Sequence, residues 1–188
     1  LGYVLTPNGN AEKIPSKWGV ATAGDDPRRF LPWYPKAILP LPSLAAKALG
    51  LGSFNMAADQ DLLVRRVPLF FHTGPQDGGT IVPSLSAEAM RVAQGASTYV
   101  IKSSNASGET AFGQHTGVVA ARIGAFEIPT GGDGTVRLHF SGTQKQRHVP
   151  AWKVLDGSFD PRDVAGRIIL VGSGASALAD FRATPLEQ

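Results

Sequence analysis

The sequence predicts an α/β fold, a mixed sheet flanked by helices, gathered into one domain over residues 1–188. Two observations carry that prediction. Segments of strand type alternate with segments of helical type along the chain, the pattern of layered α/β packing. Hairpin signals such as Gly131-Gly132-Asp133-Gly134 coexist with longer crossover connections, so antiparallel and parallel pairs are both required. With 43% apolar and 18% charged residues, the chain can build a core and does not read as disordered.

Residues 1–5 read as a short buried strand, closed by the turn chemistry of Thr6-Pro7-Asn8-Gly9. Residues 24–42 are rich in proline and aromatics, Trp33 and Tyr34 among them, and regular structure is not expected there; an ordered loop laid over the core is, with a ligand-gripping aromatic surface as the alternative. Two helices open alike, at Pro42-Ser43-Leu44 and Pro83-Ser84-Leu85, with Ser43 and Ser84 as N-caps and Gly50 and Gly95 as C-terminal stops. In the second, Leu85, Ala89 and Val92 predict the buried stripe, while Glu88 and Arg91 complement the helix dipole.

Asp59-Gln60-Asp61 is a turn, and residues 64–71 a strand. Further strands are expected at residues 98–102, 117–123 and 125–128, with a mobile loop over 103–114. After the glycine turn, residues 135–140 alternate strictly, placing Val136, Leu138 and Phe140 inward and His139 outward. Residues 150–155 predict a short helix stopped at Gly157, and Asp160-Pro161-Arg162-Asp163 a turn. Arg167-Ile168-Ile169-Leu170-Val171 predicts a central, buried strand.

The formal net charge is +3, with basic residues scattered rather than gathered on one face, which argues against nucleic-acid binding. No cysteine is present, so a disulfide framework and a cysteine zinc site are excluded. No stretch reaches the ~20 apolar residues of a membrane span. The chain opens on Leu1-Gly2-Tyr3-Val4-Leu5 and closes just after Thr184-Pro185-Leu186, and both ends are expected to be cuts through a larger protein.

Three motifs fail on inspection. Gly172-Ser173-Gly174-Ala175-Ser176-Ala177 follows the dinucleotide pattern, yet Asp180, Arg182 and Pro185 interrupt the helix that must hold the pyrophosphate, and no acidic second strand follows. Residues 174–178 resemble a nucleophile elbow until Leu178 replaces its last glycine; no histidine can be paired with a serine from sequence. Asp59-Gln60-Asp61 begins like a calcium loop, but Leu62 stands where glycine is needed and no glutamate closes it. Its expected role is capping and pairing with Arg65 or Arg66, which on a strand must point to opposite faces.

Three blocks, in this order, resemble a family: Phe54-Asn55 with Asp59-Gln60-Asp61-Leu62-Leu63-Val64-Arg65-Arg66-Val67-Pro68-Leu69; Pro83-Ser84-Leu85-Ser86-Ala87-Glu88-Ala89; and Gly166-Arg167-Ile168-Ile169-Leu170-Val171-Gly172 leading to Asp180-Phe181-Arg182-Ala183-Thr184-Pro185. From about residue 30 to the end, with Ile128-Pro129-Thr130 between, the chain is similar to the second CHASE family, the cyclase/histidine-kinase-associated sensing extracellular domains. The resemblance implies a sensor domain outside the cytoplasmic membrane of a bacterium, joined through transmembrane helices to a nucleotide cyclase or a kinase. It also implies a further strand and helix before residue 1 and a continuation toward the membrane. The family's Asp-x-Asp-Gly turn reads Asp59-Gln60-Asp61-Leu62 here.

The expectation is therefore a non-catalytic sensor domain that responds to a small-molecule or physical stimulus and works as a homodimer. No nucleic acid and no cofactor are expected. Its candidate ligand-binding residues are Asp59, Asp61, Arg65 and Arg66, with no catalytic or metal residues. A stand-alone periplasmic hydrolase and a ligand-free dimerisation module are the alternatives.

Overall fold

The computed structural model describes residues 1–11, 13–56, 58–106, 115–142, 147–172 and 185. The chain divides into two compact units, one of Leu1–Ala57 with Arg66–Arg137 and the other of Ala58–Arg65 with Leu138–Gln188. The first holds, in chain order, β1 (Gly2–Thr6), β2 (Gly19–Ala23), β3 (Trp33–Tyr34), β4 (Lys36–Ile38), α1 (Pro42–Lys47), β5 (Gly52–Ser53), β6 (Arg66–Pro68), β7 (Phe70–Thr73) and β8 (Thr80–Pro83). It continues with α2 (Leu85–Ala93), β9 (Thr98–Ser103), β10 (Val118–Ile123), β11 (Phe126–Pro129) and β12 (Thr135–Arg137).

The mixed α/β architecture is present. β1 runs antiparallel to β4 and parallel to β5. β9 runs parallel to β2 and antiparallel to β10, which pairs onward with β11. β7 runs parallel to β3 and antiparallel to β8, while β6 and β12 form an antiparallel pair of their own. The pairing is spread over several small sheets because β3 and β5 have two residues each and β6 and β12 three, too short to carry a continuous ladder.

Period-two burial builds the core. Tyr3 and Leu5 on β1, and Tyr99 and Ile101 on β9, are at most 2% exposed and meet Leu51, Phe70, Phe71, Val82 and Ile123. Phe70 and Tyr99 pack edge to face with centroids 5.0 Å apart. Each such side chain contributes roughly 1.5–3 kcal/mol by burial.

α2 starts as expected: the Ser84 hydroxyl accepts from the Ala87 N–H at 3.2 Å, and Gly95 takes φ +63° just past the end. Its buried face differs from expectation. Leu85, Ala89 and Val92 are half-buried, whereas Ala87, Glu88 and Arg91 are buried. Arg91 forks onto Glu88, Nε to Oε2 at 2.8 Å and Nη2 to Oε1 at 2.7 Å, and the Tyr99 hydroxyl donates to the same carboxylate. Arg91 also donates to the carbonyls of Ala96 at 2.6 Å and Leu49 at 3.3 Å. A satisfied ion pair therefore occupies the position expected of an apolar stripe, which buried charge tolerates only with such a full set of partners. The burial and the negative charge of Glu88 raise the Tyr99 hydroxyl well above the ordinary tyrosine range.

Several expectations need correction. α1 begins at Pro42, with Leu41 rather than Ser43 as N-cap and no side-chain cap bond. It ends at Lys47 instead of Gly50, because the Lys17 ammonium caps its carbonyls, reaching Ala45 and Ala46 at 3.0 Å and also Ala48. Residues 24–42 contain β3, β4 and a 3₁₀ turn at Pro27–Arg29, since β7 and β1 offer that segment ladder partners invisible locally. The strand expected over 64–71 is broken into β6 and β7, which join different sheets. The turn at 131–134 forms, with a Gly134 N–H to Gly131 carbonyl bond of 2.8 Å, but β11 and β12 on either side do not pair with each other. The expected mobile loop contributes Ser103 to β9 and a turn at 104–106; residues 107–114 lie outside the described ones.

The strand expected over residues 135–140 ends at Arg137, the last residue of β12. In the second unit, Leu138 N–H donates to the Arg65 carbonyl at 2.9 Å, and Leu138 and Phe140 are half-buried while His139 is exposed, so the alternation outlasts the strand. α3 (Ala151–Leu155) forms as predicted, and Asp160 caps the 3₁₀ turn Pro161–Asp163 through the Arg162 N–H at 2.9 Å. The central strand expected at residues 167–171 is not one. Ile168, Ile169, Leu170 and Val171 are 56–97% exposed and, among the described residues, no strand pairs with them. An apolar run becomes a buried strand only where neighbours supply hydrogen bonds. The glycine turn that follows lies outside the described residues from 173 onward.

Candidate functional site

The first unit places its polar concavities around the segment leaving the carboxyl end of β2. Asp26 caps the 3₁₀ turn Pro27–Arg29, accepting from the Arg28 N–H at 3.1 Å. The Arg28 side chain folds back on the same carboxylate, Nε lying 2.9 Å from both oxygens and Nη2 2.6 Å from Oδ2. These hydrogen bonds hold the Asp26 carboxyl below its usual range. Arg28 Nη1 reaches across to the Gly79 carbonyl at 3.3 Å, tying the turn to the β7–β8 hairpin.

Two hollows flank this Asp26–Arg28 pair. One, of about 480 Å³, has Trp18, Val20 and Ile81 as its apolar lining and Thr22 and Thr80 among its polar groups. The Trp18 indole N–H points to the Ile81 carbonyl at 3.5 Å. The other, of about 410 Å³, is lined by Arg29, Leu31, Trp33, His72, Gln76 and Asp77, together with the shared pair and Gly78. Trp33 is held by its indole N–H on the Gly74 carbonyl at 2.9 Å and leaves 40% of its surface exposed.

His72, on β7, is 1% exposed, and its Nε2 makes no well-formed hydrogen bond among the described residues. Burial first, and the Arg28 charge second, push the imidazole below the ordinary histidine range; Asp26 and the Pro75 carbonyl oppose that shift without overcoming it. The ring is neutral at neutral pH. Gly79 is required beside it: a Cβ there would lie 2.6 Å from Nε2.

Asp25, next to the capping residue, gathers three donors: Ser104 Oγ at 2.7 Å, Asn105 Nδ2 at 2.9 Å and His115 Nδ1 at 3.1 Å, all on Oδ2. Ser104 first and Asn105 second hold its carboxyl below the usual range. Serine, histidine and aspartate meet here, but the serine donates to the carboxylate rather than to the imidazole. A nucleophile relay needs the reverse order.

The structure brings together three of the four residues expected to bind ligand. Asp59 and Leu63 close the turn by a 2.9 Å backbone bond, and Arg65 reaches Asp59 Oδ2 at 3.1 Å and Asp61 at 2.8 and 2.6 Å. Asp61 is thereby lowered to about 2, chiefly by the Arg65 hydrogen bonds and then by the Leu63 N–H. Leu62 adopts φ +66°, the left-handed conformation the turn requires, although it is not glycine. Arg66 belongs to β6 of the first unit, where it is exposed and in register with Arg137. This arrangement is the capping and pairing cluster that the sequence anticipates.

Sequence reading missed Asp26, Arg28, His72 and Trp18, while Trp33 lies in the aromatic stretch for which a ligand-gripping surface is the alternative reading. Only Asp26-Pro27-Arg28, a capping aspartate before proline, carries a local signal; the others converge through β7 and β8.

A mixed α/β chain with polar hollows beside a capped turn is the class that fold and site define. The CHASE2 domain model matches residues 11–188, and the chain belongs to the CHASE2 family, extracellular sensory domains of signalling receptors that are not themselves catalytic. No curated protein and no solved structure matches it significantly. No helix among the described residues is long and apolar enough to cross a membrane.

Proposed function

We propose that this chain is the stimulus-receiving ectodomain of a bacterial transmembrane receptor whose cytoplasmic output is an adenylate or guanylate cyclase or a sensor kinase. The observation that carries the reading is the family match across residues 11–188. The two hollows around Asp26 and Arg28 support a receptive role, being concave, lined by both charged and apolar groups and of ligand size.

A receptor of this kind works as a pair, because paired cytoplasmic domains need a change in chain-to-chain geometry. The exposed apolar run at residues 168–171 supports an association surface in the domain.

The test is membrane topology in the parent protein. Alkaline phosphatase fused after this domain is expected to be active, and green fluorescent protein at the same point dark. The opposite pattern refutes the placement. Sedimentation of the chain is expected to show a dimer at high concentration, and a strict monomer argues against pairing through this domain.

A further inference from the structure

The smaller hollow, of about 410 Å³, carries a chemical signature beyond its shape. Two cations and two anions line it, Arg28, Arg29, Asp26 and Asp77. Arg28 and Asp26 are spent on each other at 2.6 Å. Arg29 and Asp77 form no ion pair with a described residue, so one cation and one anion remain available. Beside them is the partly exposed Trp33 indole, and the buried His72 ring forms part of the wall.

We propose that this hollow binds a small zwitterion of the α-amino-acid type, with the ligand carboxylate on Arg29 and its ammonium on Asp77 and the Trp33 ring. The charges decide the class. A neutral sugar leaves both Arg29 and Asp77 partly desolvated and uncompensated. With Arg28 and Asp26 neutralising each other, phosphate still meets the Asp77 carboxylate and a divalent cation still meets the Arg29 guanidinium, so each faces like charge. A guanidinium matches a carboxylate bidentately, and an ammonium is favoured over an indole face. The volume lies at the small end of ligand sites, which suits a single amino acid better than a peptide.

This proposal rests on reading the hollows as the stimulus-receiving surface. Calorimetry and thermal shift on the chain with glycine, L-alanine and L-glutamine test it, with N-acetyl-L-alanine and L-alaninamide each removing one ligand charge, and with glucose and inorganic phosphate as the other classes. Saturable binding of at least one amino acid is expected, weakened at least about tenfold in either singly charged analogue and in Arg29→Ala and Asp77→Asn. Both residues are exposed, so the unliganded melting temperature should hold. Arg65→Ala should bind normally.

Absence of amino-acid binding, binding unmoved by Arg29→Ala and Asp77→Asn, or preference for glucose or phosphate overturns the ligand assignment. Because the topology fusions need no ligand, an active phosphatase fusion with no amino-acid binding sinks this inference alone. An inactive phosphatase fusion with intact binding sinks the extracytoplasmic reading alone.

Discussion

Removing Arg91 should be among the most damaging single changes in this chain. Its side chain is 7% exposed and that of Glu88 is 3%, so the pair is dry. In Arg91→Met the Glu88 carboxylate keeps, among the described residues, only the Tyr99 hydroxyl, and the carbonyls of Leu49 and Ala96 lose the Arg91 donor. Leaving one partner of a buried ion pair unmatched costs about 3–5 kcal/mol. At roughly 2–4 °C per kcal/mol for a chain of this size, the melting temperature should drop by about 6–20 °C. The double variant Glu88→Leu/Arg91→Met removes the orphan charge and should recover at least about 2 kcal/mol of that loss, since replacing both partners by apolar groups is far less costly than stranding one. Urea melts of wild type, both singles and the double give the coupling energy directly. A single-variant cost below about 1 kcal/mol, or a double equal to the sum of the singles, would refute the account of α2 as a helix pinned by charge.

The acidic turn of the second unit makes a pH prediction. The Asp61 carboxyl is held at about 2 when folded, below the ~3.9 of an unfolded aspartate, so its stabilising contribution is full above about pH 4 and disappears as pH falls through about 2. Carboxyl titration by nuclear magnetic resonance should show that midpoint moving up toward ~3.9 in Arg65→Ala and staying in Arg66→Ala; equal behaviour of the two variants counts against the pairing. Leu62, at φ +66°, carries the strain of an L-residue in the left-handed region. Leu62→Gly should therefore stabilise by about 1 kcal/mol or less, after the entropy of glycine is subtracted, and a fall in the urea midpoint would contradict the strain.

Much of the local structure was legible in the sequence. Ser84 and Gly95 bound α2, Asp160 caps its turn, and the strands from residue 98 to 129 fall where β-type residues and glycines place them, because caps and hairpins are decided by neighbours in sequence. The Asp59, Asp61 and Arg65 cluster was also visible, being complete within seven residues. What tertiary structure decided was every question of partnership. The helical period of α2 favoured Leu85, Ala89 and Val92 for its buried face; Tyr99, eleven residues from Glu88, made burial of the Glu88–Arg91 pair tolerable instead. Residues 168–171 have the composition of a buried strand, and composition cannot supply the neighbour that a ladder needs. The hollow between Trp33 and His72 exists only because β3 lies parallel to β7, with Trp33 in register with His72 at a separation in sequence that no local signal spans.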